Sequence, residues 1–111
     1  MKKLDQFVYM NELLSLYGSL LTKVQQEVMI AYYRYNLSYG EIADNKNISR
    51  AAVSDAINKA SKKLTNFEKK LNLHKQKMYS LEQIELLKQN IEDEETLLII
   101  TNLERNIRDG I

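Results

Sequence analysis

The sequence has no cysteine, no proline, no tryptophan and only three glycines. Without cysteine there is no disulfide scaffold, no thiolate zinc site, no iron–sulfur cluster and no cysteine nucleophile, which fits a reducing cytoplasm. Without proline and with so little glycine, hairpin-rich sheets lack their turn residues, so the composition favours helices. Gly18, Gly40 and Gly110 stand isolated, which excludes a glycine-rich phosphate loop. One histidine, His74, makes a poor basis for a metal site, and no cofactor motif is present. Long apolar runs are also missing. Stretches such as Leu97-Leu98-Ile99-Ile100 fall far short of the about 20 residues that a membrane-spanning helix needs. Near the start, Asp5, Gln6, Asn11 and Glu12 interrupt the apolar stretch that an export signal requires.

What is present is an ordinary globular balance: 111 residues, 44% hydrophobic and 28% charged. That suits one small domain plus an appendage. The net charge of +1 hides a block structure. Between Ser61 and Tyr79 there are six basic residues against one acid, Glu68; from Ser80 to Ile111 there are three against eight. A basic segment is therefore followed by an acidic one. A local basic patch can bind nucleic acid even when the total charge is near zero. The acidic run Glu92-Asp93-Glu94-Glu95 points its side chains apart on a helix, and it suits the positive end of a helix better than a metal.

Hydrophobic periodicity sets out the helices. Phe7, Met10, Leu14, Tyr17 and Leu21 give the first one an apolar face. Thr22 with Gln25 has capping-box spacing and opens a second, striped by Val24, Val28, Ala31, Tyr32 and Tyr35. Ser38 with Glu41 opens a short third helix, with Ile42 and Ala43 inward. Asp44-Asn45-Lys46-Asn47 is a turn in which Asn tolerates a left-handed backbone. Ile48 is its apolar plug, and Ser49 caps a fourth helix striped by Val53, Ile57, Ala60, Leu64, Phe67 and Leu71. Ser80 with Gln83 predicts a restart, followed by stripes at Leu81, Ile84, Leu87 and Ile91 and at Leu97, Ile100, Leu103 and Ile107. The predicted organisation is an all-α bundle over residues 1–79 and an acidic helical tail over 80–111.

The informative span is Ser38 to Leu64. A short helix, a turn with an apolar plug and a capped second helix with anchors four apart make a helix-turn-helix pattern. Glu41-Ile42-Ala43, Ile48-Ser49-Arg50, Val53 and Ile57 resemble region four of bacterial sigma factors, which reads the promoter −35 element. The front of the chain brings in Met10-Asn11, Leu14, Tyr17, Ser19-Leu20-Leu21-Thr22, Gln25, Tyr33 and Leu37-Ser38. With Ala52, Asp55 and Glu68-Lys69-Lys70-Leu71 added, the chain resembles the YlxM-like family of small helix-turn-helix proteins from about Leu4 to Tyr79.

That resemblance implies a sigma-region-four-like bundle with a C-terminal helical extension. It also implies a regulatory role in the signal recognition particle pathway, because genes of the family tend to lie beside those of the particle or its receptor. The implied partners are the particle's RNA, its GTPase, or DNA. A plain DNA-binding transcriptional regulator and a protein–protein module without nucleic acid stand as the alternatives. Two departures matter. Sigma region four reads bases with Glu, Arg and Gln where Ala51, Ser54 and Asp55 stand here, so −35 reading does not carry over. The YlxM-like family places an apolar residue where Lys46 stands, so Lys46 either snorkels or marks a looser corner.

Ser49, Arg50, Ser54, Lys59, Lys62 and Lys63 are the candidate nucleic-acid contacts, with Arg50 at the entering end of the recognition helix. The fourth helix keeps its stripe beyond a compact core. Leu64, Phe67 and Leu71 are therefore the expected contacts of a homodimer. Tyr32, Tyr33, Tyr35 and Tyr39 could stack bases, but the stripe places Tyr32 and Tyr35 in the core. Nothing in the sequence calls for catalysis.

Overall fold

A computed structural model describes residues 3–109. Among them are six α-helices and no strand: α1 (Lys3–Tyr17), α2 (Lys23–Met29), α3 (Tyr39–Lys46), α4 (Arg50–Leu71), α5 (Leu73–Gln89) and α6 (Glu94–Asp109). A 3₁₀ turn, Gly18–Leu20, follows α1, and a π-helical turn, Ile30–Arg34, follows α2. None of these helices is long and apolar enough to cross a membrane. The chain divides into two compact units, residues 1–71 and 72–111.

The first unit is a bundle closed around α4. Met10, Leu13, Leu14 and Tyr17 of α1, Val28 and Met29 of α2, and Ile42 and Ala43 of α3 are buried. So are Val53, Ile57, Ala60 and Leu64 of α4, at the expected spacing of three and four. The expected caps at Thr22, Ser38 and Ser49 form. The Thr22 hydroxyl accepts from the Gln25 amide N–H at 3.2 Å, and the Gln25 side chain accepts from the Thr22 N–H. Tyr17 carries a contact that periodicity alone does not supply. Its hydroxyl donates to Glu68 Oε1 at 2.7 Å, tying the end of α1 to the outer part of α4.

Three expectations change. The second stripe does not continue through Tyr35, because the π-helical turn interrupts it: the Tyr35 N–H reaches back five residues to the Ile30 carbonyl, at 3.1 Å. The extra residue in that turn rotates the chain beyond it, and Tyr35 is 69% exposed. Val24, in the first turn of α2, is also outside the core. The boundary expected after Tyr79 falls instead after Leu71. Asn72 takes a left-handed conformation (φ 55°) and breaks the helix there, so Ser80 lies in mid-helix within α5. A Ser-x-x-Gln spacing is permitted inside a helix as well as at its start.

The second unit is a helix pair. Ile84 and Ile100 are its buried apolar residues among those described. The break between α5 and α6 is set by Asp93, whose carboxylate accepts from the Thr96 N–H at 2.9 Å and from its hydroxyl. Asp93 therefore caps α6, and Glu94 and Glu95 occupy its first turn, where the helix dipole favours negative charge. Glu104 is buried and accepts from Lys88 Nζ at 2.8 Å, with Arg108 Nη2 at 3.5 Å.

Candidate nucleic-acid interface

The helix-turn-helix is built from local chemistry. Ser38 caps α3: its hydroxyl accepts from the Glu41 N–H at 3.1 Å, and the Glu41 carboxylate accepts from the Ser38 N–H at 3.0 Å. Those two bonds hold the Glu41 carboxyl below the ordinary range, the backbone one first. At the other end Asn47 is left-handed (φ 54°), and its N–H returns to the Ala43 carbonyl. The Ile48 N–H reaches the same oxygen at 3.1 Å. A left-handed residue closing the last turn of a helix is the usual way its final carbonyls are satisfied. Ser49 then caps α4, its hydroxyl accepting from the Ala52 N–H at 3.0 Å. Ala43, 5% exposed, lies within this tight corner between α3 and α4.

Lys46 resolves one departure from the family pattern. Its ammonium is bonded to the Glu27 carboxylate, so a charged pair joins α2 to α3 where the resemblance led us to expect an apolar residue.

The candidate contacts fall into different environments. Ser49, Arg50, Lys59, Lys62 and Lys63 are exposed, and Ser54 is half-buried. Arg50 leaves the first turn of α4 and lies over the start of α3. A Cβ built on Gly40 would come within 2.9 Å of the Arg50 Nη2, so the absence of a side chain there gives the guanidinium its place. Lys59 pairs with Asp55 one turn earlier at 3.1 Å. Lys63 donates to the Gln25 side chain of α2 at 3.1 Å. Lys62 points the other way, toward α1. Of the three ammonium groups, that of Lys62 alone has no hydrogen bond or ion pair among the described residues.

Charge on α4 is consequently one-sided at the surface. The helix has six basic residues and two acids, Asp55 and Glu68. Asp55 is neutralised by Lys59, and Glu68 is buried against the Tyr17 hydroxyl. Neither presents an uncompensated negative charge to a phosphate.

The residues expected to pair two copies separate. Leu64 is 0% exposed and has no surface to offer, because it lies on the same buried stripe as Val53, Ile57 and Ala60. Phe67 is half-buried, its ring packed 5.9 Å from that of Tyr17. Leu71, at the end of α4, is 50% exposed.

Sequence reasoning named the tyrosines between residues 32 and 39 as able to stack bases but placed Tyr32 in the core, and it did not assemble the cluster that lies beside α4. Phe7, Tyr32, Tyr33 and Tyr39 form one aromatic cluster with ring centroids 4.8–5.3 Å apart, in edge-on and tilted pairs. The π-helical turn brings Tyr32 and Tyr33 together there, and Asn11 of α1 fixes that turn by donating to the Tyr33 carbonyl at 2.8 Å. Burial pushes the Tyr33 and Tyr39 phenols up from their ordinary value, so both stay protonated. The only sequence signal was the density of tyrosines between residues 32 and 39. No group of acidic or histidine side chains that could hold a metal is present among the described residues.

The family model described as "Putative helix-turn-helix protein, YlxM / p13 like" matches residues 4–104. A UPF0122 protein of Clostridium acetobutylicum is 36% identical over 111 positions, which take in 94% of this chain and 96% of that protein. One from Thermoanaerobacter sp. strain X514 is 37% identical over 112 positions, with 95% and 96% covered. A third, from Malacoplasma penetrans, is 40% identical over 100 positions, with 85% and 92% covered. The capped α3, the left-handed Asn47 and the capped α4 are the physical form of the motif in that description. The chain belongs to the UPF0122 family of YlxM/p13-like helix-turn-helix proteins.

Proposed function

We propose that this is a non-enzymatic regulatory protein that contacts nucleic acid through α4. The observation that carries the reading is a recognition-type helix, held by α3 and the Asn47 turn, whose uncompensated surface charge is basic. Arg50 stands at its N-terminus, where such helices meet base edges and phosphates. Lys62 and Lys63 lie three turns further on and meet backbone only. Base reading from the first two turns is weak, since Ala51 has no polar side-chain atom and Asp55 is engaged with Lys59.

Salt tests this reading. Each phosphate neutralised adds about 0.9 to the slope of log K against log salt on duplex DNA. Arg50→Gln and Lys62→Gln each lower the slope by about that amount, and Lys59→Gln lowers it less because its charge is already paired. Reversing Lys59, Lys62 and Lys63 together to Glu abolishes binding while the melting temperature falls by no more than a few degrees. Unchanged affinity in that triple variant removes α4 from the account.

We further propose the setting that the resemblance implies: the signal recognition particle pathway, with the particle's RNA, its GTPase or DNA as the target. Capture from a lysate with and without nuclease separates them. A GTPase contact survives nuclease and lacks the salt slope. For assembly, we propose a homodimer closed near the exposed Leu71 and the adjoining Phe67. The basic segment of one copy faces the acidic residues of the other, so that two recognition helices are presented together. A 13.0 kDa species persisting in sedimentation at micromolar concentration overturns it.

A further inference from the structure

The aromatic cluster beside α4 does not close on itself. It forms one wall of a cleft of about 430 Å³ whose other wall is α4, with Asn58 and Lys62 at its rim. That volume lies within the roughly 300–1,000 Å³ typical of small-molecule sites. The rings of Phe7, Tyr32, Tyr33 and Tyr39 all remain half-buried, so aromatic surface faces the space. The lining contains no carboxylate, and its single charge is the ammonium of Lys62. The hydroxyl of Thr65 is spent on helix carbonyls, at 3.0 and 3.1 Å. The Asn58 amide and the Lys62 ammonium carry no hydrogen bond or ion pair among the described residues. The lysines on either side in sequence, Lys59 and Lys63, are both committed elsewhere.

These features select a ligand. The aromatic wall accepts a flat conjugated ring, because stacking on tyrosine and phenylalanine tolerates any base. A side-chain amide at the rim can donate to and accept from the polar edge of such a ring. A lone ammonium with no competing carboxylate favours an anion, and a lysine binds phosphate as a point charge. We propose that this cleft binds a nucleotide unit, with the base against the tyrosine wall, its edge at Asn58 and its phosphate at Lys62. The unit arrives either as a free mononucleotide or as an unpaired base of a nucleic acid lying on α4. The site does not depend on duplex reading by the first turns of α4. It stands on the shape and chemistry of the cleft.

The test uses the full-length protein and 2-aminopurine, whose fluorescence falls on stacking. Three probes are titrated: 2-aminopurine ribonucleoside monophosphate, a single-stranded oligonucleotide carrying one 2-aminopurine, and a duplex in which the same base is paired. Saturable quenching of the monophosphate identifies a free nucleotide as the ligand; quenching of the single strand alone identifies an unpaired base. Lys62→Gln weakens the quenched complex by about ten-fold, Lys23→Gln, in the first turn of α2 and outside the cleft lining, leaves it within two-fold, and Tyr39→Leu removes the quenching. The corresponding nucleoside, without phosphate, binds the parent and Lys62→Gln alike. Circular dichroism checks that each variant is folded, and Lys62→Gln, an exposed change, keeps the test valid if Tyr39→Leu does not fold. No quenching of either unpaired probe overturns the proposal, as does an equal loss in Lys23→Gln and Lys62→Gln. If the duplex still binds with its salt slope, the cleft alone is refuted and the reading of α4 stands.

Discussion

Tyr17→Phe removes the hydroxyl that ties α1 to the outer part of α4. Tyr17 is 1% exposed, and its hydroxyl donates to the Glu68 carboxylate, itself 9% exposed, at 2.7 Å. Phenylalanine keeps the ring and its packing on Phe67 and removes only the donor. Hydrogen bonds to charged groups contribute about 1.5–3 kcal/mol, and the carboxylate left behind stays desolvated after the bond is lost. For a unit of 71 residues, each kcal/mol corresponds to roughly 4–8 °C in Tm, so the expected fall is roughly 6–24 °C. Urea and thermal unfolding followed by far-ultraviolet circular dichroism measure it. Glu68→Gln completes a double-mutant cycle: glutamine keeps an acceptor for the Tyr17 hydroxyl but carries no charge. The charge-assisted part of the bond then appears as a coupling of about 0.5 kcal/mol or more. A Tyr17→Phe protein within about 0.5 kcal/mol of the parent, or single effects that simply add, refutes the reasoning.

Ile57→Ala costs about 2–5 kcal/mol, and Val53→Asp costs more because it buries an unpaired charge; a loss under about half a kcal/mol at Ile57 in urea titration means that α4 packs by another face. Gly40→Ala raises the helix propensity of α3 by up to about 1 kcal/mol while its Cβ displaces the Arg50 guanidinium. Tm is therefore expected to hold or rise as affinity for a labelled duplex falls, and unchanged affinity removes Arg50 from the contact. The Lys88 hydrogen bond holds the Glu104 carboxyl below its ordinary value; desolvation opposes the shift, and the charges of Lys88 and Arg108 add to it. A depressed folded pKa gives stability that is present above the unfolded value of about 4.3 and is lost as pH falls through the folded one. Acid unfolding of α5–α6, followed by circular dichroism, therefore begins at higher pH in Lys88→Met, and an identical acid limb refutes the pairing.

Much of this fold was legible because its signals are local. A capping box needs residues three apart, and two of the three predicted boxes, those at Thr22 and Ser38, form. A tight corner needs a residue that tolerates positive φ, and Asn47 supplies it. The buried stripe of α4 follows from spacing alone as far as Leu64. The misreadings arise where a local pattern has two physical outcomes. Tyr35 fits the stripe of an α-helix, but one π-helical turn places it in solvent. Asn72 looked like any polar residue within a long helix, yet its left-handed backbone sets the boundary between units. Ser80 with Gln83 has the spacing of a cap and sits in mid-helix. The Tyr17–Glu68 bond spans 51 residues, and no periodicity reports on a polar pair so distant.

The candidate site shows the same limit more sharply. In sequence, Lys59, Lys62 and Lys63 form one basic patch. On a helix each residue turns about 100° from the last, so Lys62 and Lys63, though adjacent, meet different neighbours. Lys63 reaches α2 and is held by Gln25; Lys59 is held by Asp55; Lys62 turns toward α1 and the tyrosines and is held by nothing described. An ammonium already paired releases less free energy on meeting a phosphate, because it gives up its partner as it gains the new one. Three equal charges in the sequence thus become one available cation and two committed ones, and the available one stands beside the aromatic cleft.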